Sequence, residues 1–407
     1  MMRRYLNHTF LFTVVLFFSV AAYAQQQDTP YVVLISLDGF RWDFPKRYET
    51  PHLAAMAENG VRARAMIPCF PTKTFPNHYS MVTGLYPDHH GIIANKFYDT
   101  VLKKTFALST SEKFDPAFYG GNPIWNVAEA QGIKTAVFSW PGSDVAIQGH
   151  QPSIWKKYDK NFPFTQRIDS VVDWLQLPAA IRPHFIAAYF EEPDMSEHDF
   201  GPLSTEAHAK VILADSIVGV FMQKLNALPQ AAQINFIVVS DHGLTEVSKE
   251  RTVTLEDYIP ARWLALPAMG SPILLLKAAE GYYDSIASNI GRIPHVKAYP
   301  SAQVPARLHF GKNARALDFT LIADKGWSII TNQQETIKKG NHGFDNKEKD
   351  MHAIFYATGP AFKKGYVQKR FNNIDVYPLI AHILSLPILP VDGNLEEIKN
   401  MLAPKQQ

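Results

Sequence analysis

The stretch Phe70 to Asp99 reads FPTKTFPNHYSMVTGLYPDHHGIIANKFYD and crowds threonines, prolines and histidines into one turn-rich run. A threonine hydroxyl is a poor nucleophile until a base or a metal activates it. Candidate activators lie far away in the chain. Asp38-Gly39 ends one apolar run, Asp241-His242-Gly243 ends a second, and a third leads through Glu191-Glu192-Pro193 to Asp194, with His198 four residues on. His342 sits in the glycine-containing stretch GNHGFDN. Any one Asp-Gly pair is ordinarily a turn former, and a lone loop histidine is ordinarily solvated. Together, however, these residues make three carboxylates and three imidazoles with no thiolate. Carboxylates gathered at one place repel unless a cation lies between them. The set suits two borderline-soft divalent ions, zinc first, and two such ions form the clamp used to hydrolyse phosphate esters. Thr74 is the hydroxyl best placed to be the nucleophile. It lies just ahead of the helix-like NHYSMVTG, among the N–H groups that make a helix start an anion site. Thr72 and Thr83 are expected to serve the turn and the helix.

These groups need a scaffold that brings them together. Six short apolar runs, YVVLISLD (31–38), KTAVFSW (134–140), HFIAAYF (184–190), INFIVVSD (234–241), SPILLLK (271–277) and MHAIFYATG (351–359), fit strands covered on both faces. Helical patterns over 51–59, 77–84, 122–131, 168–175, 205–228 and 374–384 alternate with them. That order predicts an α/β fold with a mixed or parallel sheet, in which ligands bind at the carboxyl ends of strands. Residues 278–330 read less regularly and could form a small inserted subdomain.

The bulk composition narrows the class. Net charge is +2 with 19% charged residues, which gives no basis for nucleic-acid or membrane-surface binding. With 46% hydrophobic residues the chain can bury a large core. The start, MMRRYLNHTFLFTVVLFFSVAAYA, reads as a secretory signal peptide cleaved after Ala24, so residues 25–407 would form an exported, periplasmic or secreted domain without a stable membrane anchor. Cys69 is the single cysteine, so no internal disulfide is possible; it is expected to pack as a small buried residue. His52, His150, His208 and His382 lack acidic company and read as structural or surface groups.

The motifs VVLISLDGFRWD, PTKTFPNHYSMVTGLYPDHHGIIANKFYD, PIWNVAEAQG, WPGSD, EEPDMSEHDFGP, VVSDHGL and GNHGFDN, in that order, resemble the nucleotide pyrophosphatase/phosphodiesterase family of the alkaline phosphatase superfamily. The resemblance covers nearly all of residues 25–407. It implies an alkaline-phosphatase-like, mostly parallel sheet sandwiched between helices, in a single catalytic domain. It implies one zinc held by Asp194, His198 and His342, and another by Asp38, Asp241, His242 and Thr74. It makes Thr74 the nucleophile of a phosphothreonine-like intermediate and Asn95 a donor to a non-bridging phosphate oxygen. It assigns Leu108, Lys113 and Tyr158 to a base pocket. Phe75, next to the nucleophile, can present a ring beside the phosphate site. The stretch SDVAIQGHQPSIWKKYDKNFPF (143–164) corresponds to a segment that a lysophospholipid-acting branch lacks, which favours nucleotides.

The expected reaction is hydrolysis of nucleotide phosphodiester and pyrophosphate bonds in two displacements, releasing nucleoside 5′-monophosphates. Three other readings share parts of this pattern. A lipid-headgroup phosphodiesterase is separated by comparing a nucleotide ester with glycerophosphocholine. A phosphomonoesterase is separated by comparing mono- and diesters. A non-catalytic binding protein is separated by zinc content together with any hydrolysis at all. Oligomeric state is not legible in the sequence.

Overall fold

The structure is a computed structural model that describes residues 29–331 and 336–404. The signal-peptide reading therefore lies outside the described residues.

Eight strands form the main sheet: β1 (Tyr31–Leu37), β2 (Val61–Ala63), β3 (Thr135–Phe138), β4 (Ile154–Lys156), β5 (Phe185–Phe190), β6 (Ile234–Val239), β7 (Phe355–Thr358) and β8 (Tyr366–Gln368). Their spatial order is β8-β2-β7-β6-β1-β5-β3-β4. Strands β6, β1, β5, β3 and β4 run parallel, while β7 is antiparallel to both neighbours. The fold is a mixed, mostly parallel α/β sheet.

The central strands are buried on both faces, so their alternate residues feed two separate cores. Val32 and Leu34 pack with residues of α2 (Thr74–Thr83), α3 (Ile124–Ala130) and α7 (Val376–Ile383). Val33, Ile35 and Leu37 pack with α1 (Pro51–Asn59), α4 (Phe164–Leu175) and α6 (Thr205–Asn226).

Two sequence expectations shift. The apolar run SPILLLK does not join the main sheet. Its Ile273–Leu276 pairs antiparallel with Phe319–Ala323, which in turn pairs with Val296–Pro300. That three-stranded sheet and the helix Tyr283–Ile290 enclose a third core with Val253, Leu255 and Ile259. Apolar content alone does not say which sheet a strand joins. The helix expected at residue 77 begins at Thr74 instead. Pro76 is tolerated there because it lies in the first turn, where its missing N–H has no intrahelical partner to lose. The helix ends at Gly84 in the left-handed conformation (φ 69°).

Strand register sets the site. Leu37 pairs with Phe190 and Ser36 with Val239, so β1, β5 and β6 finish level with one another. Asp38, the segment leading to Asp194, and Asp241 all leave the sheet at that edge.

Candidate active site

Backbone bonds tie the three acidic segments together. The Asp194 N–H donates to the Asp38 carbonyl (3.1 Å), and the Gly39 N–H donates to Asp241 Oδ1 (3.2 Å). Gly39 has φ 73°, and a Cβ there would lie 2.9 Å from the Asp194 Cα. No larger residue fits that approach without moving a metal-ligand candidate. Asp194 and His198 share one face of α5 (Asp194–Phe200), with His198 Nε2 3.6 Å from Asp194 Oδ1. His342 arrives from the remote loop, its Nε2 3.9 Å from the same oxygen. His242 Nε2 lies 3.0 Å from Asp241 Oδ2, 3.6 Å from Asp38 Oδ1 and 3.2 Å from Thr74 Oγ1.

The residues so gathered fit divalent ions. Asp194, His198 and His342 converge as one ligand group, and Asp38, Asp194 and His242 as a second, so Asp194 reaches both. Asp38 Oδ1, Asp194 Oδ1 and Asp241 Oδ2 are buried with no hydrogen-bond partner. Orphaned buried carboxylate oxygens are costly, and a cation satisfies them. Two of the three imidazoles are also set for the purpose, whereas Nδ1 of His242 is buried without a partner. Nδ1 of His198 lies 2.8 Å from the Gly340 carbonyl, and Nδ1 of His342 2.8 Å from the Thr72 carbonyl. A carbonyl only accepts, so each Nδ1 carries the proton and each Nε2 keeps its lone pair for a metal. Burial, with His242 close by, holds the His342 pKa well below the ordinary imidazole value. Burial and the carboxylates of Asp241 and Asp194 push Asp38 well above the ordinary range. Burial also acts on Asp241, but His242 and His78 outweigh it and hold that carboxyl well below its usual value.

Around Thr74 the structure opens into a cleft with a cavity volume of about 370 Å³. Asp38, Thr74, Asp194, His198 and His342 line it, together with Phe75, Asn95, Leu108, Lys113 and Tyr158. The residues expected to bind metal or substrate therefore all lie at this cleft or directly behind it, where Asp241 and His242 are buried. The Asn95 side-chain oxygen accepts from the Phe75 N–H (3.0 Å), which leaves its amide N–H₂ as a donor. That bond also uses one of the first-turn N–H groups expected to be free. Thr72 and Thr83 serve structure: the Thr72 hydroxyl donates to the Phe344 carbonyl and accepts from the Gly343 N–H, and the Thr83 hydroxyl donates to the Tyr79 carbonyl.

Sequence reasoning missed several members. Ser139, Trp140, Pro141, Asp144 and Tyr189 complete the cleft wall. His78 is fully buried behind it. Its Nδ1 lies 2.9 Å from the Thr74 carbonyl and 3.4 Å from Asp241 Oδ2, and its Nε2 lies 2.8 Å from Ser36 Oγ. An available signal was a histidine four residues after the nucleophile candidate on the same helix face.

Residues 32–345 match the family model described as type I phosphodiesterase / nucleotide pyrophosphatase. The chain belongs to this family. It is 39% identical over 389 residues to human ectonucleotide pyrophosphatase/phosphodiesterase family member 1, covering 92% of this chain and 42% of the relative. It is 38% identical over 382 residues to a venom phosphodiesterase of Crotalus durissus collilineatus, covering 91% of this chain and 46% of that protein. The chain thus spans less than half the length of these curated relatives. Murine ectonucleotide pyrophosphatase/phosphodiesterase 5, solved as an inactive threonine-to-alanine form in complex with AMP, superposes with a TM-score of 0.88 at 34% identity, covering 92% of this chain and all of the murine one.

Proposed function

We propose that this protein is an exported, two-zinc phosphodiesterase/pyrophosphatase that hydrolyses nucleotides to nucleoside 5′-monophosphates through a phosphothreonine on Thr74. One observation carries the reading: the Thr74 hydroxyl, 3.2 Å from His242 Nε2, lines one cleft together with Asp38 and Asp194, whose Oδ1 atoms are buried without a partner, and with Phe75 and Tyr158. Asp194, His198 and His342 would hold one ion, and Asp38, Asp241 and His242 the other beside Thr74. When bound, the two ions lower the pKa of the threonine hydroxyl and neutralise charge on the phosphoryl group.

Thr74 Oγ1 attacks phosphorus and the P–O bond to the leaving group breaks, releasing an alcohol or pyrophosphate. Water then cleaves the phosphothreonine, restoring the hydroxyl and freeing the nucleoside monophosphate. The Asn95 amide donates to a non-bridging oxygen in both displacements. Phe75 and Tyr158 flank the base, with Leu108 and Lys113 at its edge. The AMP complex of the murine relative supports a nucleotide in this slot, and so does the segment 143–164, which supplies Asp144 and Tyr158 to the wall. Among the described residues no helix is long and apolar enough to cross a membrane.

Thr74→Ala tests the reading. It should abolish hydrolysis of ATP and of an aryl nucleotide diester, with zinc content close to wild type. Near-normal turnover in this variant would replace Thr74 by water as the nucleophile. Faster wild-type hydrolysis of glycerophosphocholine than of nucleotides would replace the substrate class.

A further inference from the structure

Asp38 is held from two sides. Its Oδ2 accepts a hydrogen bond from the Tyr189 hydroxyl at 2.6 Å, whereas its Oδ1 is buried without a partner and faces His242 Nε2 at 3.6 Å. One oxygen is thus committed to the protein and the other is left for an ion.

The phenol doing this is itself fixed. Tyr189 pairs with Ser36 in the parallel register of β1 and β5. Its ring meets the edge of His78 (5.2 Å between centroids, 82° between planes), and His78 reaches Ser36 Oγ and the Thr74 carbonyl. The buried guanidinium of Arg167 donates to the Tyr189 carbonyl and pairs with Glu191 at 2.9 Å. On its outer side the Tyr189 ring meets Tyr158 (5.9 Å, 65°) at the wall of the cleft.

We propose that Tyr189 is a positioning residue with two separable parts: its hydroxyl orients Asp38 as a one-oxygen ligand of the ion shared with His242, and its ring supports Tyr158 in the nucleoside slot. The inference rests on the two-zinc reading above. Loss of the hydroxyl frees Oδ2, and Asp38 can then rotate away from its ligand geometry. Partners of this kind ordinarily govern metal affinity by about 10–100-fold. The ring has no part in that effect.

The test uses zinc-loaded protein titrated with a chelator, with zinc per chain as the readout, alongside nucleotide and small aryl diester kinetics. Tyr189→Phe should lose one of its two zincs at a chelator concentration about 10–100-fold lower than wild type, retain the other, and keep its KM for nucleotides. Tyr189→Leu should show the same zinc loss and also raise the nucleotide KM, with the KM of the aryl diester unchanged. Wild-type zinc retention in Tyr189→Phe would overturn the orienting role. Equal KM changes on both substrates in Tyr189→Leu would overturn the supporting role. Zinc retention is read without reference to turnover, so it separates this inference from the assignment of the substrate.

Discussion

The rings of His242 and His342 stack with centroids 3.7 Å apart and planes 18° apart, although one leaves a buried strand and the other belongs to a loop a hundred residues on. Two protonated imidazoles could not stack this closely without strong repulsion. The contact requires at least one neutral ring, and neutrality is what a metal ligand needs.

His342→Ala removes a proposed ligand and leaves the rest of the set in place. Zinc affinity at one position should fall by more than about 100-fold, beyond the range ordinary for outer partners, and hydrolysis should fall with it. Metal stoichiometry after dialysis, read beside turnover, decides this. Two tightly held zincs in the variant would detach the His342 loop from the centre.

Stripping the protein with a chelator should lower its melting temperature by about 5 °C or more, since a ligand at a thousand times its dissociation constant adds about 4 kcal/mol. The cause would be three buried carboxylates left facing one another. Adding zinc back should restore both melting and activity. A melting curve indifferent to chelation would mean that the orphaned oxygens are satisfied in some other way.

Tyr158 is 43% exposed, so its stacking contribution can be removed with little damage to the core. Tyr158→Ala should lose about 1–3 kcal/mol of base stacking, which is about tenfold to a hundredfold in kcat/KM toward nucleotides. A small aryl diester should be far less affected. Equal losses on both substrates would show that Tyr158 props the site and does not hold a base.

His90 gives a pH signature away from the metal centre. Burial pushes its pKa down to about 3, and its Nε2 lies 2.9 Å from Ser80 Oγ. The unfolded chain takes up that proton near pH 6.5 and the folded chain only near pH 3. Between those limits the unfolded state binds more protons, so stability falls as pH falls. The slope from this group should approach about 1.4 kcal/mol per pH unit, with no contribution above pH 7. His342, His184 and His352, also held below the ordinary imidazole value by burial, contribute with the same sign. Denaturation from pH 7 to pH 4 should therefore show a steeper slope in wild type than in His90→Gln, the difference being the part that belongs to His90.

Much of this candidate site is legible in the sequence because its acidic residues sit where apolar strands stop. YVVLISL ending in Asp38 and INFIVVS ending in Asp241 carry that information locally. The parts that stayed hidden depend on pairing across the sheet. Tyr189 looked like one more apolar residue in HFIAAYF, and only the register opposite Ser36 brings its hydroxyl to Asp38. His78 reads as one histidine among several in a turn-rich stretch, because its partners Ser36 and Asp241 lie in and just beyond strands remote in the sequence. SPILLLK had the composition of a central strand, yet its partners belong to a separate antiparallel sheet.

The level ends of β1, β5 and β6 make the centre sensitive to chain length in a way that side-chain substitution is not. Removing one residue from Tyr31–Leu37 would draw Asp38 back by about 3.3 Å and exchange the two sets of core-facing residues. Neither the proposed metal site beside His242 nor the two cores could absorb that. Lengthening the exposed turn at Lys103, on the far side of the Lys96–Asp99 and Lys104–Ala107 hairpin, shifts no strand of the main sheet. Insertions and deletions in this protein are therefore sorted by whether they fall before or after a strand has delivered its carboxylate.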